Sequence, residues 1–420
     1  MRIAIIALGS RGDVQPYIAL GRGLQAAGHP VRLLTHDNFA SLVQAYGLEF
    51  WSVKGDVQAV AESAEMRELL EKGNFLAITA LTAKEAKKAA LQWAQDGLVA
   101  CEGVELLVAG IGGLYIGLAL AEKFAIPFVE APVVPFTPTS AFPGALLPQS
   151  PPRLGGLFNR ISHQLTRQMM WQGFRGADRQ MRQQVLGLPP APFWGPATTQ
   201  QGHRRPVLYG FSPSVLPKPA DWGEAIHVTG YWFLPPATDW SPPPALVDFL
   251  HAGPPPVYIG FGSMVSRQPE ETADLVIQAV TQSGQRAILL TGWGGLQKER
   301  LPENICLIDS APHDWLFSQV AAVVHHGGAG TTAAGIRAGV PSLIIPFFGD
   351  QFFWGTRVAA LGIGPAPIPR KQLTVDRLAA ALQTMTTNQP MQQRAAQLGA
   401  QVQAEDGVAQ AVAIIAAMGR

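Results

Sequence analysis

The sequence predicts an α/β protein made of two doubly wound parallel-sheet domains facing each other across a cleft. Short, continuous apolar runs alternate with segments of helical spacing, the pattern of parallel strands covered on both faces. The alternation stops at a proline-studded stretch, WFLPPATDWSPPP from Trp232 to Pro244, and then restarts. A chain of 420 residues with 47% hydrophobic content suits two cores of ordinary size. The expected division is an N-terminal domain over residues 1–230, a linker over 231–245, a C-terminal domain over 246–400 and a terminal helix over 401–420.

In chain order, Arg2 to Leu8 is an apolar run of strand length, and Pro16 to Ala27 places Ile18, Leu20 and Leu24 at helical spacing. Val31 to Thr35 reads as a second strand, followed by a helix from Asn38 to Ala45. Lys84 to Ala100 is helical. Leu106 to Ala109 and Pro127 to Ala131 read as strands joined by a helix from Leu114 to Phe124. Pro132 to Pro152 cannot form a central strand, because its prolines lack ladder donors. Its greasy composition suggests part of a hydrophobic pocket, with Pro135, Phe136 and Phe142 as lining residues; the alternative is a loop packed on the core.

Arg153 to Gln184 is a basic helix in which Arg160, Arg167, Arg175, Arg179 and Arg182 interleave with Phe158, Met169, Met170, Trp171 and Phe174. Its apolar residues are expected to face their own domain. The less favoured reading is an amphipathic helix lying on an anionic lipid surface. After the linker come a strand from Val257 to Phe261, a helix from Pro269 to Ser283, a strand from Arg286 to Thr291 and a final helical stretch from Met391 to Met418.

Composition removes several function classes. A net charge of +1 without a broad basic field gives no reason to expect nucleic acid. Cys101 and Cys306 fall in different domains and form no CxxC pair, which argues against a disulfide framework or structural zinc. The N-terminus enters a strand at once, as MRIAIIALG, and no apolar run reaches the ~18 residues of a membrane span. A cytoplasmic protein is expected, with peripheral membrane contact as the alternative; the oligomeric state stays open. The turn after the first strand is GSRGD rather than GxGxxG, so the dinucleotide fingerprint is missing, and Ser263 in GFGSM is no nucleophile elbow.

Ligands of parallel sheets bind at the carboxyl ends of strands. Four segments fall there: Gly9 to Asp13, Gly262-Ser263, the turn His325 to Gly330, and the loop bearing Asp350 and Gln351. The third, inside AVVHHGGAGTTAAGIRAGVPSLIIPFFGDQFFWG from Ala322 to Gly355, carries glycines just where a helix begins. A helix N-terminus offers unpaired N–H donors and about half a positive charge, so it favours phosphate. His326 adds a side-chain donor.

This string resembles the donor signature of nucleotide-sugar glycosyltransferases of the GT-B fold, two Rossmann-like domains facing across a cleft. With GSRGDVQPYIALGRGLQAAGH, PPPVYIGFGSM and APHDWLF, the chain is similar to sterol 3-beta-glucosyltransferases and bacterial antibiotic-type glycosyltransferases. The resemblance implies that Asp13 is the general base, where plant small-molecule enzymes carry a histidine. The alternative for Asp13 is a helix cap. It further implies that Ser263, His326, Gly328, Gly330 and Thr331 hold the diphosphate, that Trp315 walls the base pocket, and that Asp350 and Gln351 bind the hexose. Arg11, Met170 and Trp171 join Pro135, Phe136 and Phe142 on the acceptor side. The ribose-binding glutamate of the plant signature is here Ala334. The terminal helix is expected to cross back onto the N-terminal domain.

The resulting expectation is an inverting, metal-independent transfer of glucose from UDP-glucose to a sterol-like or other lipophilic hydroxyl, with no cofactor beyond the UDP-sugar. Polyketide, carotenoid or flavonoid acceptors are alternatives. A sugar-nucleotide 2-epimerase is the rival of another class, disfavoured because it needs no greasy acceptor loop.

Overall fold

The apolar run after Arg2 is buried at every position as β1 (Ile3–Ile6), a strand covered on both faces. A computed structural model describes the chain except residues 56–59, 61–62, 64, 67, 70–74, 148–154, 198, 201–202, 236–239, 262–268, 291–300 and 419–420. After β1 come α1 (Arg11–Ala26), β2 (Val31–Thr35), α2 (Ala40–Ala45), β3 (Glu49–Ser52), α3 (Phe75–Ala100), β4 (Leu106–Ala109), α4 (Leu114–Phe124) and β5 (Phe128–Glu130). Then follow α5 (Gly156–Met181), a short hairpin of β6 (Thr199–Gln200) and β7 (His203–Arg204), β8 (Val207–Tyr209) and β9 (Ile226–Val228). Seven of these strands form one parallel sheet in the order β3-β2-β1-β4-β5-β8-β9.

The second half begins with α6 (Pro244–His251), β10 (Val257–Gly260), α7 (Pro269–Ser283), β11 (Ala287–Leu290), β12 (Ile305–Ile308), α8 (His313–Leu316) and β13 (Ala322–His325). It continues with α9 (Ala329–Ala338), β14 (Ser342–Ile344), α10 (Gln351–Ala360), α11 (Val375–Thr387), α12 (Gln389–Gln403) and α13 (Gly407–Ala417). Its five-stranded parallel sheet runs β12-β11-β10-β13-β14. In each sheet the strand order reverses beside the first strand, between β1 and β4 and between β10 and β13. These are the crevices where such sheets bind ligands.

Alternation along β1 sends Ile3 and Ile5 to one face, with Ile18, Leu24 and Leu33, and Ala4 and Ile6 to the other, with Ala90, Leu120 and Phe128. The first face also buries Ala411 and Ile415 of α13, so the chain's last helix completes the N-terminal core. Gly23 of α1 makes the approach close, because any Cβ there would strike Val408. Just before α13, Glu405 Oε1 accepts hydrogen bonds from Ser212 Oγ and Ser214 Oγ, both at 2.7 Å. Among the described residues no helix is long and apolar enough to cross a membrane.

Several boundaries differ from the sequence reading. α1 begins at Arg11, not Pro16, because Ser10 and Asp13 form a capping box that opens the helix upstream of the proline. The stretch expected as one helix from Met391 to Met418 is two, α12 and α13, broken where Asp406 accepts a hydrogen bond from the Ala409 N–H and starts a new helix. The basic helix ends at Met181 and passes into a π-type turn over Arg182–Leu186. Strands β8 (Val207–Tyr209) and β9 (Ile226–Val228) were not expected from the sequence.

Candidate active site

Gly9 leaves β1 with a φ of +145°, and a side chain there would run into the Asp13 carboxyl group. That fit fixes Asp13 in the first turn of α1. Its Oδ2 accepts hydrogen bonds from the Ser10 N–H at 2.8 Å and the Ser10 hydroxyl at 2.9 Å. Both bonds go to one oxygen; among the described residues Oδ1 has no hydrogen-bond donor. The capping role is therefore present, and one oxygen remains for a ligand. Asp13 keeps open surface on the cleft, while protein from both domains crowds it. Loss of hydration raises its pKa, and the two Ser10 bonds oppose that only in part.

Opposite lies Asp350, at the N-cap of α10. Its carboxylate does not cap the helix; Oδ2 accepts a hydrogen bond from the Trp354 indole N–H at 3.1 Å instead. Burial first, and the nearby negative charge of Asp13 second, push its pKa up to about 7. The two carboxylates, one from each domain, thus feel each other across the cleft. Gln351 is buried, and its Oε1 accepts from the Phe347 N–H at 2.7 Å and the Phe348 N–H at 3.2 Å. Its amide N–H groups are left for a ligand.

The adjacent histidines differ in their surroundings. His325, at the end of β13, is fully buried, and its Nδ1 accepts the Gly327 N–H at 3.0 Å. His326 is half-buried with its ring against Gly328, where a Cβ would sit 2.7 Å from Nε2. Gly327 has a φ of +96° and no room beside Ile344. Next begins α9, whose N-cap Gly328 supplies no side-chain bond. The first intrahelical bond runs from the Thr332 N–H to the Gly328 carbonyl. The N–H groups of Ala329, Gly330 and Thr331 therefore remain for an anion, and nothing lies within 4 Å of the Gly330 Cβ position. Burial holds His326 down at about 4, so the imidazole is neutral at neutral pH in the ligand-free site. Its contribution there is a hydrogen bond, not a charge; a bound diphosphate would raise its pKa.

One further residue belongs here. His313, the first residue of α8, stacks on Phe317 with ring centroids 4.5 Å apart. It is pushed down to about 4, by burial first and then by His326 and Arg11. Arg11, expected on the acceptor side, is thus near enough to His313 of the C-terminal domain for its charge to disfavour the imidazolium there. Trp315 packs edge-on against Trp240 with centroids 5.1 Å apart, and Ala334 joins the same cluster. Ser263 lies outside the described residues. Among the described residues no group of three or more His, Cys, Asp or Glu could hold a metal ion.

The proline-rich loop is only partly a surface. Tyr209 pins it, its hydroxyl oxygen accepting from the Phe136 N–H at 3.0 Å and the Thr137 N–H at 2.6 Å. Pro135 is buried and Phe136 is 5% exposed, beneath the Arg167 guanidinium. Trp171 is 2% exposed, packs on Tyr115, and donates its indole N–H to the Phe193 carbonyl at 2.8 Å. These three are buried, with most of their apolar surface packed within their own domain. Met170 is half-buried against the same core. Phe142 does reach the cleft, meeting Phe353 of α10 at 5.4 Å between ring centroids.

Residues 3–143 match the N-terminal domain of glycosyltransferase family 28, and residues 288–418 match the C-terminal domain of erythromycin biosynthesis protein CIII-like proteins. Over 435 aligned residues, 99% of this chain and 30% of the relative, the chain is 40% identical to a sterol 3-beta-glucosyltransferase of Aspergillus fumigatus. It thus spans about 30% of the length of the curated relatives it matches. A structure of the glycotransferase of kitacinnamycin superposes with a TM-score of 0.71 at 19% identity, covering 99% of this chain and 98% of the other. Glycosyltransferase VinC in complex with DTDP gives 0.67 at 19% identity, with 99% and 98% covered.

Proposed function

The chain has the GT-B fold and is similar along its whole length to sterol 3-beta-glucosyltransferases; from that premise we propose that it is a nucleotide-sugar-dependent glycosyltransferase. It moves glucose from UDP-glucose to the hydroxyl of a sterol-like or other lipophilic acceptor. The observation that carries this reading is the approach of Asp13 to Asp350 and of Arg11 to His313 across the two domains, with His326 beside His313 and the N-terminus of α9 open.

In the proposed reaction, the acceptor hydroxyl oxygen attacks the anomeric carbon as the bond to the β-phosphate oxygen breaks, inverting that carbon. The hydroxyl proton passes to Asp13, and UDP leaves with the bonding electrons. A carboxylate is a weak base for an alcohol, so it takes the proton late, as bond formation acidifies it. The raised pKa of Asp13 makes it a better base than an exposed carboxylate. The leaving diphosphate meets the N–H groups of Ala329 to Thr331, the imidazoles of His326 and His313, and the Arg11 guanidinium, so no metal ion is required. Asp350 and the Gln351 amide orient the hexose.

Asp13→Asn tests the assignment, because an asparagine oxygen can still accept the Ser10 N–H and keep the helix start. We expect kcat to fall by roughly 10²–10⁴ while UDP affinity stays within about threefold. Equal loss of both would make Asp13 a structural residue only.

A further inference from the structure

Helix α5 presents an apolar stripe to solvent. Leu157, Ile161 and Leu165, four residues apart on one face, are 75%, 55% and 55% exposed. They span about 12 Å of helix. Further along the same face, three donors converge on one carbonyl: Gln168 Nε2 at 3.4 Å, Trp171 Nε1 at 2.8 Å and Gln172 Nε2 at 2.8 Å all bond the Phe193 oxygen. They hold out Phe193 and Trp194, which are 51% and 78% exposed and meet edge-to-face at 5.0 Å. Five large apolar side chains held in solvent on one surface are unusual and mark a contact site.

The charge around this stripe is one-sided. From residue 156 to 197 Asp178 is the only acid, and it is buried. Arg160, Arg175 and Arg179 are exposed, with Arg175 lying over the Phe193 ring at 4.8 Å, and exposed Lys87 of α3 lies beside Gly176. We propose that this face of α5, with the Phe193-Trp194 loop, docks on a bilayer surface that contains anionic lipid. Leucine, isoleucine and phenylalanine enter the acyl boundary, Trp194 sits at headgroup level, and the arginines meet lipid phosphates.

The opposite face of the same helix holds the loop that carries Phe142. Ser162 Oγ accepts the Gly144 N–H at 2.9 Å, His163 Nε2 lies 3.1 Å from the Phe142 carbonyl, and Asn159 Nδ2 donates to the Ser140 carbonyl at 2.8 Å. A docked α5 therefore holds the cleft edge at Phe142 one helix diameter, roughly 10 Å, from the membrane in which a lipophilic acceptor resides. This last step rests on the proposed function; the docking does not.

The full chain is mixed with phosphatidylcholine vesicles, with and without phosphatidylserine, and the bound fraction is measured by sedimentation. The wild type binds the anionic vesicles and loses most of that binding in high salt. Trp194→Ser, a change at an exposed position that leaves the fold intact, weakens partitioning about tenfold, and Leu157→Ser/Ile161→Ser/Leu165→Ser removes it. Transfer to a water-soluble acceptor is unchanged in these variants. Absence of wild-type binding, or equal binding by all variants, overturns the proposal. Self-association of the wild type that the variants lose, without vesicle binding, assigns the face to a second copy and overturns it too. Vesicle binding that depends on Trp194, with no transfer to any acceptor, keeps this surface and rejects the proposed function.

Discussion

Asp13 commits one carboxylate oxygen to the fold. Its Oδ2 starts α1 through Ser10, while Oδ1 takes no bond from the described residues, so capping does not exclude the proposed role as base. Asp350 likewise occupies an N-cap position without capping. Because the Asp13 charge raises Asp350, the two carboxylates titrate as a pair. The base must be ionised, so kcat/KM is expected to rise with pH as the pair sheds its proton. Asp350→Asn removes one negative charge and moves that rising limb to lower pH, whatever it costs in rate. A limb that stays in place or moves up would show that the carboxylates do not communicate. Asp13, His326, Asp350 and Gln351 were legible because each follows a strand end. His313 obeys the same rule after β12 and stands in APHDWLF, beside Trp315. The burial of Trp171 was not legible, because sequence periodicity shows that a side chain is apolar, not which of two surfaces takes it.

At the scale of elements, the strand-to-helix turn before α9 joins two opposite demands. Gly327 must be glycine for the fold, having positive φ and Ile344 against it, whereas Gly330 faces open space. Gly327→Ala is expected to destabilise the protein by about 1–3 kcal/mol in thermal or denaturant unfolding. Gly330→Ala should leave stability near wild type and weaken UDP binding several-fold in calorimetry, because its methyl group enters the space the anion needs. Loss of stability in Gly330→Ala with unchanged UDP affinity would move the anion site elsewhere. The proline-rich loop stood open to two readings, a pocket wall and a loop packed on the core. Tyr209 and Asp221, far along the chain, decided for packing over most of it by bonding its backbone. Such long-range partners leave no local trace. The capping box at Ser10 and Asp13 did leave one, upstream of the apolar spacing of Ile18, Leu20 and Leu24 that marks the helix from Pro16.

At the scale of the molecule, the two sheets are joined twice, by the Trp232–Pro244 segment and by the return of α13 to the N-terminal core. Gly407, at the start of α13, has its missing Cβ 2.6 Å from the Tyr231 carbonyl oxygen, so the return crosses the outgoing chain with no space to spare. Gly407→Ala is expected to lower the melting temperature by several degrees and to reduce transfer, since Asp13 and Asp350 depend on how the domains meet. A variant with unchanged melting and activity would show that the crossing does not hold the domains. The strand–helix alternation and the restart after the prolines made the two sheets legible in outline, and both strand orders follow from parallel crossovers. The acceptor side was not legible, because side chains from distant elements share it. The most direct measurement is mass spectrometry of a sterol incubated with the purified chain, UDP-glucose and EDTA. A sterol product heavier by one anhydrohexose, lost in Asp13→Asn, is the expected result. UDP binding without any hexosylated product, on the sterol or on other lipophilic alcohols, would contradict the account.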